Sequence, residues 1–386
     1  MHIYLDNNAT TAMRPEVVEA MVPFFTEAYG NASSIHWFGQ HAKAAIDDSR
    51  AEVARLIGAR TTEIVFLSGG TEADNFAIRG IVESQSSKGR HIITSQIEHH
   101  AVLNTLKELE KQGFDVTWLP VGSDGIVDAE QVRGAIRPDT ILISVMHANN
   151  EIGTIQPIEQ IGQIAEEAGI YFHSDGVQAS GKLPVDVSAL RVHLYSMSSH
   201  KIHGPKGVGA LFIKKGTPLK AMMTGGGHER NRRAGTENVA GIVGFGAAAE
   251  LARQDLAATM VRIADLRDNM EERLKMAIPD IHINGEHVPR LSNTSNIMVD
   301  YAEGEGLVIS LDLKGIAVST GSACSSGSME PSHVLTAIGK TPDEGFGSLR
   351  ISLSALTTAE EVDSFVEILP AIVERLRELS PYYRKG

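Results

Sequence analysis

Short apolar runs alternate along the first two thirds of the chain with longer segments whose apolar residues recur every three or four positions. "EIVFLSGG" (63–70), "HIITSQ" (91–96), "TILISVMHA" (140–148), "IYFHSDG" (170–176) and "LYSMSSHK" (194–201) are brief and rich in β-branched or aromatic residues, which predicts strands. Between them, "EADNFAIRGIVESQ", "HAVLNTLKELEKQG" and "IEQIGQIAEEAG" carry the helical period. Strand–helix alternation predicts an α/β fold, a mostly parallel sheet between two layers of helices.

After about residue 256 the pattern changes. The charged amphipathic stretch "MVRIADLRDNMEERLKMAI" predicts a connecting helix. It is followed by "SNIMVDY" (strand), "GEGLVISLDLKG" (helix), "IAVSTGSAC" (strand into loop), "SLRISLS" (strand) and a helix at 358–379. This order predicts a smaller α+β domain. The expected division is a large domain at 13–256 and a small domain formed by 1–12 with 257–386. The longest apolar run, "AGIVGFGAAA" (240–249), is too short to span a bilayer and predicts a closely packed buried helix.

Composition narrows the partners. The chain has 386 residues, of which 35 are basic and 48 acidic, a net charge of −13. That balance argues against nucleic acid or an anionic membrane as the main partner. "HERNRR" (228–233) is a local basic exception, read as a subunit-interface or cofactor-edge loop rather than a docking patch for an acidic partner. A single cysteine fits a reducing compartment, and "MHIYLDNNATT" has no apolar signal core, so the protein is expected in the cytoplasm.

Ligands of open α/β sheets bind beyond the carboxyl ends of the strands, so the residues after each strand matter most. After "EIVFL" comes Ser68-Gly69-Gly70-Thr71 and a helix start, which suits a phosphate. After the next strands come Glu98-His99-His100, Asn149-Asn150-Glu151, Asp175 with Gln178 three residues on, and Ser199-His200-Lys201. Any one of these is as readily a cap, a solvated side chain or a satisfied histidine. Four consecutive strands ending in an imidazole, an amide, a carboxylate and an amine are harder to explain that way. Pyridoxal phosphate needs such a set: a lysine for its Schiff base (Lys201), a carboxylate for the pyridinium nitrogen (Asp175) and a phosphate cradle. Ser198 and His200 would flank the lysine, Asn150 would reach the phenolic oxygen, and His99 would stack on the ring and move protons. A metal is the competing use, but there is no H-E-x-x-H, no second cysteine and no compact acidic cluster, so none is expected.

The motifs "YLDNNATT", "SGGTEADNFAI", "EHHAVLN", "MHANNEIGTIQPI", "FHSDGVQASGKLP", "SSHKIHGPKGVGAL", "GGGHERNRRAGTENV" and "STGSACSSGSMEPSHVL" follow one another over essentially the whole chain. In this order they resemble the cysteine desulfurases of the NifS/IscS type, in the class V aminotransferase group of pyridoxal-phosphate fold type I. The resemblance implies that 13–256 binds the cofactor and that the small domain carries a catalytic cysteine loop. It puts Lys201 on the Schiff-base lysine, Asp175 and Gln178 on the pyridinium and phenol contacts, and Asn150 on the other phenol or substrate contact. His99 falls on the stacking histidine, and Gly70, Thr71, Ser198 and His200 fall on phosphate contacts. Thr236 matches a phosphate contact supplied by the second subunit of an obligate homodimer. Arg350 falls on the arginine that binds the substrate carboxylate, a role suited to its planar fork.

Cys324, the one cysteine, falls on the residue that takes sulfur from L-cysteine as a persulfide and leaves L-alanine. Small residues and glycines on both sides of it predict a mobile arm, which delivery to an iron–sulfur scaffold or another acceptor protein requires. Two departures stand out. Ala355 in "ISLSALTT" replaces an arginine common in relatives, and Ala32 in "GNASSIH" replaces a proline. The ending "LSPYYRKG" lacks the longer tail of the IscS branch, so the resemblance leans toward the NifS branch. A selenocysteine lyase or another class V aminotransferase would use the same fold, but an aminotransferase has no use for Cys324. A non-catalytic sulfur-assembly partner would be free to lose Lys201 or Cys324, and both are present.

Overall fold

The computed structural model describes residues 2–320, 332–381 and 383. Cys324 and the loop expected to be a mobile arm lie outside the described residues. The strands are β1 (Ile3–Tyr4), β2 (Ile64–Leu67), β3 (His91–Ser95), β4 (Asp115–Leu119), β5 (Thr140–Ser144) and β6 (Tyr171–Asp175). Then come β7 (Leu194–Ser198), β8 (Gly209–Ile213), β9 (Ile281–Ile283), β10 (Thr294–Val299), β11 (Ile316–Ala317) and β12 (Ser348–Ser352).

Seven strands form one sheet in the order β2-β8-β7-β6-β5-β3-β4, parallel except where β8 runs antiparallel to both its neighbours. Strands β3, β5, β7 and β8 are buried at every position, which is why none of them carries charged residues on an outward face. The sheet corrects one expectation. The strands that end in candidate chemistry are not consecutive in the chain, because β4 intervenes; they are consecutive in the sheet. β4 hides in the sequence because it is an edge strand with a mixed pattern, "DVTWL". The chain moves outward from β3 to β4 and then returns to the other side of β3 as β5. That reversal makes a topological switch point, where such sheets bind ligands.

Helices cover both faces. Ile158–Ala168 buries Ile158, Ile161, Ile164 and Ala165 at helical spacing. It ends at Gly169, whose φ of 66° is the left-handed C-cap that glycine adopts without strain. Two apolar cores fill the sheet's faces, one around Phe172, Tyr195 and Phe245, the other around Phe76, Ile92 and Leu142. Ala32 is buried in the first of them.

A three-stranded antiparallel sheet, β12-β10-β9, has its own core with Leu307, Leu349, Phe365 and Leu369. Ile3 and Leu5 from the N-terminal segment join this core, and β1 pairs with β11. The apolar run at 240–249 and the charged stretch after it are one helix, Val239–Ala277, 39 residues and about 58 Å long. Its first half packs Ile242, Phe245, Ala248 and Ala249 on the large sheet, and its second half packs Ile263, Met270 and Leu274 in the small core. Among the described residues no helix is long and apolar enough to cross a membrane.

Candidate active site

The carboxyl edge of the large sheet opens on a cleft of about 850 Å³ including its mouth. His99 enters it after β3, Asn150 after β5, Asp175 and Gln178 after β6, and Ser198, His200 and Lys201 from the end of β7 onward. Gly70 and Thr71 open the helix Gly70–Gln85 at the same edge, and Arg350 reaches in from β12. These ten residues are brought together in one cleft. Thr236 is not among them; it lines a separate hollow with Ser68, Arg233 and Glu237. Five further residues line the cleft: Asn8, Ala9, Asp74, Met146 and Val177.

Asn8 is the hub that the motifs did not single out. Its backbone carbonyl accepts from Lys201 Nζ at 2.5 Å and from Gln178 Nε2 at 3.0 Å. Its side-chain nitrogen donates to the carbonyl of Asn150 (3.1 Å) and to Thr294 Oγ1 (2.9 Å). Lys201 also donates to the carbonyl of Ala9 at 2.7 Å. The N-terminal segment is thus a strap across the site, tied by backbone oxygens that any residue type supplies.

Arg350 donates to the Asn150 carbonyl (3.1 Å) and to Asp6 Oδ1 (2.7 Å), and its buried Nε has no partner among the described residues. His99 Nδ1 accepts the N–H of Ala101 at 3.1 Å, capping the helix His100–Lys111. That bond places the neutral ring's proton on Nε2. Within the basic run at 228–233, Glu229 is buried and Arg233 half-buried, while Arg230 and Asn231 are exposed. Arg233 pairs with Glu72 (3.0 Å), which also accepts from the Ser68 N–H (2.6 Å), and Glu229 is held by Arg50. Ala355 opens no gap in the backbone: Arg262 of the long helix donates to the carbonyls of Ala355 and Thr357 at 2.7 and 2.8 Å.

The aminotransferase class-V family model matches residues 3–365. Cysteine desulfurase IscS of Methanosarcina thermophila is 54% identical over 379 residues, 98% of this chain and 94% of the relative. Cysteine desulfurase IscS of Dictyoglomus turgidum is 51% identical over 380 residues, 98% and 96% of the two chains. A solved NifS-like protein superposes with a TM-score of 0.91 at 38% identity, covering 97% of this chain and all of that one. The chain belongs to the cysteine desulfurases of the class V aminotransferase family. Relatives and neighbours carry both the IscS and the NifS name. A cysteine desulfurase of this family is a pyridoxal-phosphate-dependent enzyme, and the fold is the α/β type that the family implies.

The cleft's chemistry fits the desulfurase cofactor. Ser198 Oγ is buried with no hydrogen-bond partner among the described residues, an open donor where a phosphate oxygen is wanted. The helix Gly70–Gln85 starts without a side-chain cap, which leaves its N-terminus to an anion. Gly70 is needed there, since a Cβ would come within 2.7 Å of Val177 Cγ2. Asp175 is 6% exposed, and its Oδ1 accepts from the Val177 N–H at 2.9 Å. Burial first, then the nearby Asp74 carboxyl, pushes Asp175 up to about 7. A carboxyl so placed gains from a cationic partner such as a pyridinium N–H. Burial, with Lys201 and His100 adding to it, lowers His99 to about 4. The neutral imidazole this leaves at physiological pH is suited to lie against a ring and pass a proton.

Proposed function

We propose that Asp175, Gln178, Asn150 and His99 hold the ring of pyridoxal phosphate and that Gly70, Thr71, Ser198 and His200 hold its phosphate. Thr236 of a second copy of the chain completes the phosphate site. Lys201 is the lysine to which the cofactor attaches, and Arg350 takes the carboxylate of L-cysteine. The bound cofactor supplies an electron sink for the pair released at the substrate carbon. Around it, Asp175 faces the ring nitrogen, His99 moves a proton at Nε2, and Arg350 orients the substrate through its guanidinium.

Cys324 is the nucleophile. The reaction balances as L-cysteine plus the Cys324 thiol giving L-alanine plus the Cys324 persulfide. A sulfur–sulfur bond forms, a carbon–sulfur bond breaks, and the carbon is reduced as the sulfur is oxidised, with no outside oxidant. The persulfide then passes to an acceptor protein, an iron–sulfur scaffold being the expected one. Residues 13–256 form the cofactor domain, and 1–12 with 257–386 form the small domain.

A homodimer is supported by two features. Thr236 lines a hollow apart from its own chain's cleft, and an exposed apolar surface includes Phe25, Tyr29, Ile35 (94% exposed) and Trp37. The observation that carries the whole reading is the unpartnered Ser198 hydroxyl, the uncapped helix and the buried Asp175 around Lys201 in one cleft. The test is to add L-cysteine and a thiol reductant to the purified protein and quantify alanine and sulfide. Equal amounts from the wild type and neither above background from Cys324→Ala are expected. Sulfide release by Cys324→Ala at the wild-type rate would remove the nucleophile from the scheme.

A further inference from the structure

Lys182 lies behind the cleft rather than in it. It follows β6 by seven residues and borders a second cavity, about 610 Å³, whose lining it shares with Lys201, Thr11, Arg14 and Ala355. Its Nζ donates to Gln178 Oε1 at 2.7 Å and to Asn8 Oδ1 at 3.3 Å. In its ammonium form Lys182 only donates, so the end of the Gln178 amide against it is the carbonyl oxygen. The nitrogen is therefore the end that faces away, and here it donates to the Asn8 carbonyl. That same carbonyl accepts from Lys201. Asn293 Nδ2 is a second donor to Asn8 Oδ1, at 3.0 Å, so the Asn8 side chain is gripped from two sides.

Three cleft residues, Gln178, Asn150 and Lys201, are thus fixed on Asn8, and Lys182 fixes both Asn8 and Gln178. A surface lysine would not be held this way. Burial, then the cations Lys201 and Arg350, lowers the Lys182 ammonium to about 7. His200 and His203 are also close enough to feel its charge, and Arg14 and Asp255 pair with each other in the second cavity at 2.7 Å. Lys182 is only partly exposed, and a cation so placed among like charges is costly to keep unless it does something for its neighbours.

We propose that Lys182 is a positioning residue of the cofactor site: it turns the N–H end of the Gln178 amide away from itself, the end a phenolate oxygen requires, and it holds Asn8 under Lys201. The inference rests on the pyridoxal phosphate reading given above. A side chain without a donor at 182 would leave the Gln178 amide free to turn over and present its oxygen to another oxygen.

The test uses the full chain, purified with its cofactor and again after cofactor removal. Pyridoxal phosphate is titrated back and followed by the visible absorbance of the lysine-bound form. The affinity and the pH midpoint of that band are read for the wild type, Lys182→Met, Lys182→Arg, Gln178→Leu and the Lys182→Met/Gln178→Leu double variant. Lys182→Met is expected to bind about tenfold more weakly, the loss of one hydrogen bond from a charged donor. Its band midpoint is expected to shift, and Lys182→Arg to restore most of both. The double variant is expected to lose less than the sum of the two single losses, because both residues act on the Gln178 amide and only the weaker Lys182–Asn8 contact is separate. Wild-type affinity and midpoint in Lys182→Met, or losses that add in the double variant, would overturn the inference. If Lys182→Met is not recovered folded, Lys182→Leu, which also lacks a donor, is judged by the same two criteria. No band in the wild type would instead overturn the cofactor reading, and this inference with it.

Discussion

Asp175→Asn is expected to stabilise the cofactor-free protein at alkaline pH while disabling the loaded enzyme. Burial and the Asp74 carboxyl hold Asp175 at about 7 in the folded chain. An aspartate in an unfolded chain titrates near ~3.9. Between these values the fold keeps a proton that the unfolded chain has released. The neutral carboxyl therefore costs nothing below about pH 4, and stability is lost progressively as pH rises through the folded value. About three pH units of difference correspond to roughly 4 kcal/mol at pH 8 and above. Asparagine has no charge to desolvate, and its Oδ1 can keep the 2.9 Å bond from the Val177 N–H. The variant should recover roughly 2–4 kcal/mol of that cost at pH 8 and almost none near pH 4. Urea unfolding of both cofactor-stripped proteins, at one protein concentration and several pH values, measures the gap through the fluorescence of the two tryptophans, Trp37 and Trp118. The gap should widen with pH. With pyridoxal phosphate bound the sign should reverse, because the carboxylate then meets a cation that asparagine cannot pair. A gap independent of pH, or a variant weaker than wild type at pH 8 without cofactor, would refute the claim that Asp175 is a desolvated carboxyl waiting for a partner.

Other substitutions separate structural from functional groups. Arg50 and Glu229 form a buried two-bond ion pair at 2.7 Å each, and Glu229 also accepts the Phe66 N–H at 2.9 Å. Glu229→Ala should cost about 3–5 kcal/mol by leaving the buried Arg50 without its two-bond partner, whereas Arg253→Ala, in an exposed pair with Glu52, should cost no more than about 1 kcal/mol; denaturant midpoints decide. Ser198→Ala should change folding stability by less than about 1 kcal/mol, because the hydroxyl has no partner in the described chain, yet weaken pyridoxal phosphate binding about tenfold. His99, lowered to about 4, should show a bare Nδ1 and a protonated Nε2 in nitrogen NMR at pH 6; an imidazolium signal there would contradict its burial.

The residues legible in the sequence were those whose position made no sense as packing. A lysine, an aspartate and a histidine at or just past the ends of buried strands have no structural reason to recur at one sheet edge, so the sequence marks out Lys201, Asp175 and His99. The overlooked groups had innocent local readings. Asp74 sits on the helix Gly70–Gln85, where a polar residue passes for a solvent-facing one, yet it is 1% exposed and lines the cleft. The available signal was its spacing: it is four residues after Gly70, hence on the helix face that Gly70 turns to the ligand. Asn8 works largely through a backbone carbonyl, which no side-chain pattern reports. Lys182 lies in "ASGKLP", a turn where a lysine is ordinarily solvated. The long helix Val239–Ala277 reads as two segments because its apolar face serves the large core first and the small core afterwards, so its composition changes midway although its backbone does not.

These oversights share a cause that bears on function. Burial pushes Asp74, Asp175 and Glu151 up to about 7 and Glu98 up to about 8, and all four lie at the carboxyl edge of the large sheet. A fold selected only for stability would place amides or apolar residues there, because buried carboxyls without cations are costly. A chain of net charge −13 has no general shortage of surface positions for acids. Glu98 and Glu151 have internal uses: Glu98 accepts from the Ser95 hydroxyl and the Met146 N–H, and Glu151 from the Ser332 hydroxyl. Only Asp74 and Asp175 of these four line the cleft itself, where burial raises both and Asp74 raises Asp175 further. Lys201, in the same cleft, lowers Asp175 without offsetting burial and Asp74, so the remaining acidity faces the cavity and not the scaffold. What relieves it is a cation that arrives from outside, and a pyridinium nitrogen and the ammonium of an amino acid substrate are both cations.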